Sequence, residues 1–495
     1  MTQVTFHQTP KLQREVSGYG PRDAQIVLLI DRPYWGDNQA GRPLSGWWGS
    51  MLFQQFHKAG ILSRRLRVES VCERIPPQGN YFFLDAQERT EWQLDCISRL
   101  EALNPNLIIP VGQIALRAIC DSKYSSITKW QSSVIPSSIY RKDGSAIKAM
   151  PCFHPEYITK KYKELPLLTA SIQKACDVSG YPEIRNTPRE LRYNLSVSEI
   201  VAWLDNASKQ EYLSIDIETA AGQIVCVGFS YKPTEAICVP SLVKNYDNLE
   251  DFHRIWKAID QACRSMTKKI GQNFIYDMTY FSKYGVRVRN FYHDTMVAQK
   301  FLNCEMPMGL DTVARLYTNE PYWKDDAKDW SGKKDISSLY RYNCLDASVT
   351  LEASFAQKLE LKKRNLEKPF YNFVMQLTIP VTEMSWTGLP IDVEENQKLR
   401  MICETNIRAL NFRLQTQAKE MLGKEINPRS PVQVKEFLKR ILPPGTPLPM
   451  KRGKETSDLN ALYKLKQKLP TNPGLPILIK ISKENKKLSS YINYK

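Results

Sequence analysis

Runs of the kind that form buried strands occupy only part of this chain, and the point where they stop constrains its architecture more than any other feature. IVLLI (Ile26–Ile30) and the apolar run at residues 107–111 each read as a buried strand, with helical stretches at residues 47–59 and 114–119. Strand and helix alternate, which predicts an α/β first region. EYLSIDIET (residues 211–219) and IVCVGFSYK (residues 224–232) predict two strands close enough for a hairpin, and EAICVP (residues 235–240) predicts a third. The second region is therefore α/β with a sheet that begins antiparallel. Between the two lies GYPEIRNTPRELRYNL (residues 180–195), polar and with two prolines, which predicts a linker or crossing. From about Glu367 the strand pattern ends. Leu399, Ile402, Cys403, Ile407, Leu410, Leu414 and Met421 then trace an apolar stripe at helical spacing, closed by Gly423, and predict a mainly helical third region.

Charge and cysteine usage narrow the function classes. The chain has 69 Lys and Arg against 52 Asp and Glu, a net charge of +17. A basic surface of this breadth favours a polyanion, nucleic acid first, although a merely solvated surface has the same composition. Its 11 cysteines are odd in number and scattered without a CxxC pair, which argues against a disulfide framework or a zinc ribbon and for reduced, buried thiols in a cytoplasm. No run reaches the roughly 18 apolar residues of a bilayer span, and the opening MTQVTFHQTPKLQREV lacks the apolar stretch of a secretory signal. The expectation is a cytoplasmic protein with no membrane partner.

The strand around Asp216 carries the chemistry. Its side chains alternate, so Leu213, Ile215 and Ile217 point one way while Asp216 and Glu218 leave the other face together. A DxE pair alone is weak, because solvated strand faces produce it often. KKIGQNFIYD (residues 268–277) reads as a short strand turning into a helix, with Asn273 and Asp277 one helical turn apart. YRYNCLDASVTLEASF (residues 340–355) reads as a helix with Tyr342 and Asp346 on one face. Each of these acids alone would be an ordinary helix-surface group. Were the four acids to converge, they would repel one another and raise one another's pKa unless a cation sat among them.

DIET, IGQNFIYD and YNCLD, in that order, resemble the three motifs of the DEDDy proofreading exonucleases of family A, or DNA polymerase I-type, DNA polymerases. YHDTM (residues 292–296) and GLDTVARLY (residues 309–317) are similar to connecting segments of the same family. The resemblance implies a ribonuclease H-like domain with a mixed sheet and 3′→5′ hydrolysis of DNA assisted by two divalent cations, Mg²⁺ or Mn²⁺. It implies that Asp216 bridges both cations, that Glu218 and Asp346 complete the deeper one, that Asp277 holds the other through water, and that Tyr342 orients the attacking water. Hard carboxylate ligands suit those ions. His293 is left as a structural residue.

IPVTEMSWTGLPID (residues 379–392), INPRSPVQV (residues 426–434) and KENKKLSSY (residues 483–491) are similar to the family A thumb, entered at one end and left toward the palm at the other. The resemblance implies a partial thumb without palm or fingers, and a polymerase portion that is separate or has been removed. LPILIKISK (residues 475–483) is a candidate face for it, unless that segment closes the arm's own core. The DNA expected is a single-stranded 3′ end and a primer-template duplex.

Near the start, GRPLSGWWGSML (residues 41–52), PPQGN (residues 76–80), LNPNLIIPVGQIALRAI (residues 103–119) and FHPEYI (residues 153–158) resemble the uracil-DNA glycosylase superfamily, especially its iron-sulfur branch, which implies a three-layer α/β domain. His154 falls where that family places an active-site histidine, and Asp31 or Asp37 could act on water. Leu44 stands where the family has a stacking phenylalanine and Ser70 where it has a base-reading asparagine. Cys72, Cys96, Cys120 and Cys152 lack cluster spacing. The expected organisation is a glycosylase-like domain at residues 1–183 without excision activity, an exonuclease at residues 187–365 and a partial thumb at residues 366–495. The alternatives are a non-catalytic DNA-binding scaffold and an active uracil-DNA glycosylase fused to an exonuclease.

Overall fold

Every side chain of β1 (Ile26–Ile30) is buried, and strand alternation sends them into two different layers. Ile26, Leu28 and Ile30 pack with Leu52 and Phe56 of helix Trp47–Lys58 and with Leu168 and Ile172 of helix Leu165–Val178. Val27 and Leu29 pack on the opposite face with Cys96 and Leu100 of helix Ala86–Leu103 and with Leu116 of helix Gln113–Ile119. A strand covered on both faces has no place for a polar side chain, hence the unbroken IVLLI. β2 (Leu66–Ser70), β3 (Leu107–Pro110), β4 (Ile135–Tyr140) and β5 (Ala146–Ala149) complete a sheet of order β2-β1-β3-β5-β4, parallel except for β4. The computed structural model of the chain describes residues 15–325, 336–451 and 453–493, so the opening stretch read above for a secretory signal lies outside the described residues up to residue 14.

The second sheet is mixed, in the order β11-β10-β7-β8-β9-β6. It comprises β6 (Glu190–Arg192), β7 (Tyr212–Ala220), β8 (Gln223–Lys232), β9 (Glu235–Pro240), β10 (Lys268–Gly271) and β11 (Phe291–Asp294). β7 and β8 form the expected hairpin, and its two connecting residues, Ala221 and Gly222, both take positive φ as a tight turn between twisted strands requires. The stretch expected to be a linker or crossing is partly strand, since β6 pairs in parallel with β9 at the sheet edge. Arg189 fixes it there: the buried guanidinium pairs with Glu320 and Glu352 and donates to the Ser348 hydroxyl. One face of the sheet buries Leu213, Ile215 and Ile217 with Leu204, Ile255 and Ile259. The other is covered by the long helix Ser337–Lys363, whose Leu339, Tyr340 and Cys344 pack on Val225, Cys226 and Cys238.

The two α/β bodies meet across a polar seam. The buried Lys174 ammonium donates to the carbonyls of Ser132, Arg315 and Thr318 at 3.1, 2.5 and 2.6 Å. Burial, with Arg315 nearby, lowers its pKa to about 7. The equally buried Arg315 reaches back and donates to the carbonyls of Thr128, Lys129 and Gln131.

Compact units divide the chain at Thr387 and Gly388. Residues 366–387 pack within the first unit, where Phe370 and Met375 are buried with Ala298, Leu302 and Leu361. In the second, helix Val393–Leu422 is capped by the Asp392 carboxylate at its start and by Gly423 at φ 69° at its end. The expected stripe is only half used: Cys403 and Leu414 are buried, but Leu399, Ile402 and Met421 are exposed. The region is mainly helical, as expected, with one pair of two-residue strands, β12 (Met450–Lys451) and β13 (Lys454–Glu455). LPILIKISK is not an open face either, because Leu475, Ile477, Leu478, Ile479 and Ile481 are all buried with Leu414, Phe437 and Leu438 in the unit's own core. Among the described residues no helix is long and apolar enough to cross a membrane.

Candidate metal centre

β7 places Asp216 and Glu218 on the face turned toward helix Ser337–Lys363, away from the Leu213–Ile215–Ile217 core. Directly opposite Asp216 on β8 stands Gly228, and a Cβ there would lie 2.7 Å from the Asn343 backbone carbonyl. Glycine is needed for the helix to approach this closely. The approach lets Asn343 donate to the Asp216 carboxylate at 2.8 Å and brings Asp346 over the strand. The ladder between β7 and β8 also slips just after Glu218, where the extra residue, Val225, lies on β8.

As a result one carboxylate oxygen each from Asp216, Glu218 and Asp346 lies within 4.8 Å of the others. Asp277 stands beside them and its Oδ1 accepts the Ile217 backbone N–H at 2.9 Å. Tyr342 is one helical turn from Asp346. Asn273, expected on the same helix as Asp277, precedes it: the helix is Ile275–Lys283, and Asn273 sits at φ 54° in a turn whose N–H groups at Asn273 and Phe274 are held by Asp294. His293 is buried, with its nitrogens on Tyr371 and Gln357, and burial lowers its pKa to about 4.

Burial, then the mutual repulsion of Asp346, Glu218 and Asp277, holds Asp216 far above the usual carboxylate range. Burial and Asp346 push Glu218 up to about 8, and burial is likewise the main cause of a raised Asp277. Burial and the same acids raise the Tyr342 phenol, which stays protonated. Two neighbours that sequence reasoning missed answer the charge: Trp323 donates its indole N–H to Asp346 Oδ1 at 2.6 Å, and Lys324 donates to Asp346 Oδ2 at 2.5 Å and to the Tyr342 hydroxyl at 2.7 Å. A set of hard oxygen donors that already attracts an ammonium fits a divalent cation, with Asp216, Glu218 and Asp346 as its ligands.

The raised acids set a pH dependence. Metal-free, a carboxyl whose folded pKa is raised stabilises the fold below its unfolded value, and that stability is lost as pH rises through the folded value, about 8 for Glu218. A divalent cation bound to these carboxylates would replace those protons. The Mn²⁺-induced gain in Tm is expected to be near zero at pH 5 and on the order of 5 °C at pH 8. Differential scanning fluorimetry with and without Mn²⁺ checks this, and Lys174, which titrates in the opposite sense, cancels in the difference. A gain independent of pH would contradict it.

The glycosylase-like residues are only partly brought together. Asp31 and His154 line one pocket of about 340 Å³ with Tyr34, whose hydroxyl lies 2.8 Å from His154 Nε2 and donates to Asp31 Oδ1 at 3.3 Å. Burial lowers the His154 pKa. Leu44 and Ser70 do not line that pocket. Leu44 is buried in the core at φ 56°, and Ser70 is buried on β2. Asp37 is structural: it accepts the Tyr34 and Ser45 backbone N–H groups and the Ser45 hydroxyl, shaping the loop that carries Leu44. No pattern in the sequence singled out Tyr34, the extended residue just before the helix Trp35–Ala40.

Comparison with known proteins follows this division. Residues 195–362 match the family model for 3′–5′ exonuclease, and residues 17–175 match that of the uracil DNA glycosylase superfamily. A DNA polymerase I of Borreliella burgdorferi is 24% identical over 308 residues, covering 59% of this chain, and the chain spans 33% of that relative's length. A type-4 uracil-DNA glycosylase of Thermotoga maritima is 28% identical over 149 residues, 29% of this chain and 71% of that protein, and one of Archaeoglobus fulgidus is 23% identical over 145 residues, 28% of this chain and 69% of that protein. Among solved structures, the POL domain of Pol1 from M. smegmatis with DNA primer-template and dNTP aligns at a TM-score of 0.43 and 18% identity, over 59% of this chain and 48% of that one, a likeness too low to carry any argument. The chain joins a uracil-DNA-glycosylase-like domain to a 3′–5′ exonuclease domain of the DNA polymerase I type.

Proposed function

We propose that this chain removes nucleotides from the 3′ end of DNA by metal-assisted phosphodiester hydrolysis, as a proofreading exonuclease does, with Asp216, Glu218, Asp277, Tyr342 and Asp346 as its site and Mg²⁺ or Mn²⁺ as its cation. The observation that carries this is the convergence of Asp216, Glu218 and Asp346, from a strand and a helix far apart in sequence, with the Tyr342 hydroxyl beside them. When bound, divalent ions compensate the charge that develops at phosphorus and acidify a water. The chain's own groups do the rest. Tyr342, kept protonated by burial and by the surrounding acids, can donate a hydrogen bond and orient a water. Asp277 ties the helix Ile275–Lys283 to β7 and so fixes the strand under the site. Asn343 holds the Asp216 carboxylate in one orientation.

The test is a 5′-labelled single strand and a mismatched primer-template incubated with the purified chain. Stepwise shortening in Mg²⁺, with nucleoside 5′-monophosphates released and none in chelator, is expected. No shortening in either Mg²⁺ or Mn²⁺ would overturn the reading. The match to a DNA polymerase I also supports a polymerase setting for this work on DNA, and a cytoplasm is proposed as its place.

For the N-terminal domain we propose a retained fold that does not excise uracil. Tyr34 occupies the space between Asp31 and His154, while Leu44 and Ser70, the positions of the stacker and the base reader, are committed to the core. A flipped base needs both a π-face and polar partners. Uracil-containing DNA is expected to gain no alkali-labile sites above background. Cleavage that disappears in His154→Ala would refute this.

A further inference from the structure

The acid cluster already holds a cation of the chain's own, and that cation is gripped from two sides. Lys324 Nζ lies 2.5 Å from Asp346 Oδ2 and 2.7 Å from the Tyr342 hydroxyl, and 4.6 Å from the centre of the Tyr342 ring. Its charge acts on Asp216 and Glu218 as well as on Asp346. Trp323, the preceding residue, takes the other oxygen of Asp346. The same short segment is held by the N-terminal domain. Lys129 pairs with Asp325 at 2.5 Å, and the ring of Trp130 meets that of Tyr322 edge-on at 5.8 Å. Lys129 and Trp130 belong to the helix Ile127–Trp130, next to the carbonyls that Arg315 clamps.

We propose that Lys324 is a resident counter-cation of the nuclease site, which a divalent metal must displace, and that the N-terminal domain sets how firmly it sits through Lys129 and Trp130. The inference rests on the metal-site reading above. The physical reason is competition: an ammonium and a divalent ion seek the same carboxylate oxygens at close range, and each weakens the other's hold. The glycosylase-like domain thereby gains a role that needs no uracil chemistry. It braces the segment that decides how readily the neighbouring site loads metal.

Metal binding without DNA separates this from a purely structural or a purely catalytic role. Mn²⁺ is titrated into the full chain at pH 8 by calorimetry or by the electron paramagnetic resonance of free Mn²⁺. Lys324→Met is expected to bind Mn²⁺ about ten-fold more tightly than wild type, with Lys324→Arg within about two-fold of it. Lys129→Glu is expected to tighten binding about three-fold alone and to add nothing on the Lys324→Met background, as coupled sites do. Lys324→Gln replaces the methionine variant if that one fails to fold. Unchanged or weaker Mn²⁺ binding in a folded Lys324 variant would overturn the proposal, and full additivity of Lys129→Glu would overturn the brace. Asp216→Asn distinguishes the two levels. If it binds Mn²⁺ as wild type does, the metal site itself is wrong; if it loses Mn²⁺ while Lys324→Met changes nothing, only the Lys324 proposal fails.

Discussion

Asp216→Ala is expected to slow 3′-end hydrolysis by about 10³- to 10⁵-fold while leaving the melting temperature in chelator unchanged or slightly higher. The side chain faces the acid cluster and not the Leu213–Ile215–Ile217 core, so its loss opens no cavity in that core. Removing it also relieves repulsion among Glu218, Asp277 and Asp346, the charges that hold its own pKa up. The Asn343 amide loses a partner at the carboxylate but keeps its bond to the Asp216 backbone carbonyl at 3.2 Å. Single-turnover kinetics on a labelled strand, with Tm measured in parallel, check both halves. Activity within ten-fold of wild type would remove Asp216 from the site.

The largest effect on stability is expected at the seam between the two α/β bodies. Arg315→Ala deletes the donors that satisfy the carbonyls of Thr128, Lys129 and Gln131, and also the bonds to Asp311 and Thr312. The Gln131 carbonyl, in the buried part of the seam, would be left without its donor, those of Thr128 and Lys129 would turn to water, and the Lys174 ammonium close by depends on the same turn. A loss of about 3–4 kcal/mol is expected, or roughly 10 °C in Tm, with the cut site of a limiting protease appearing between the two bodies. Arg315→Lys is expected to recover only part of this, because one ammonium cannot reproduce the planar fork. A Tm within 2 °C of wild type in the alanine variant would show that the seam contributes little, on the usual scale of about 2–4 °C per kcal/mol for a domain of this size.

Legibility in the sequence followed the range of the interactions. The β7 alternation and the spacing of Tyr342 and Asp346 are local periodicities, and both read directly as faces of a strand and a helix. Both α/β regions were legible for the same reason, since IVLLI and YLSIDIET carry the burial pattern of their sheets in a few consecutive residues. Lys324 and Trp323 were not legible. They sit in a stretch without period, and their importance comes from Asp346, which they meet only because the chain folds back. Tyr34 was missed likewise, its partner His154 lying on a different element. The β6 strand hid in a proline-containing polar stretch because an edge strand has one side toward solvent and shows no apolar run. The apolar segment at residues 475–483 announced burial correctly but not what would bury it; the helices of its own unit do. Asn273 was placed on a helix by spacing alone, where the backbone is in fact left-handed and held by Asp294.

Asp216, Glu218 and Asp346 are expected to form a divalent-metal site that serves a DNA 3′ end. Anomalous scattering at the manganese edge, from crystals of the full chain soaked in Mn²⁺ with a short single-stranded oligonucleotide, tests it most directly. Manganese density is expected about 2.2 Å from carboxylate oxygens of Asp216, Glu218 and Asp346, with the terminal phosphodiester against it and Lys324 drawn away from Asp346. Density absent from these three carboxylates at saturating Mn²⁺, with the 3′ end bound elsewhere on the chain, would contradict it.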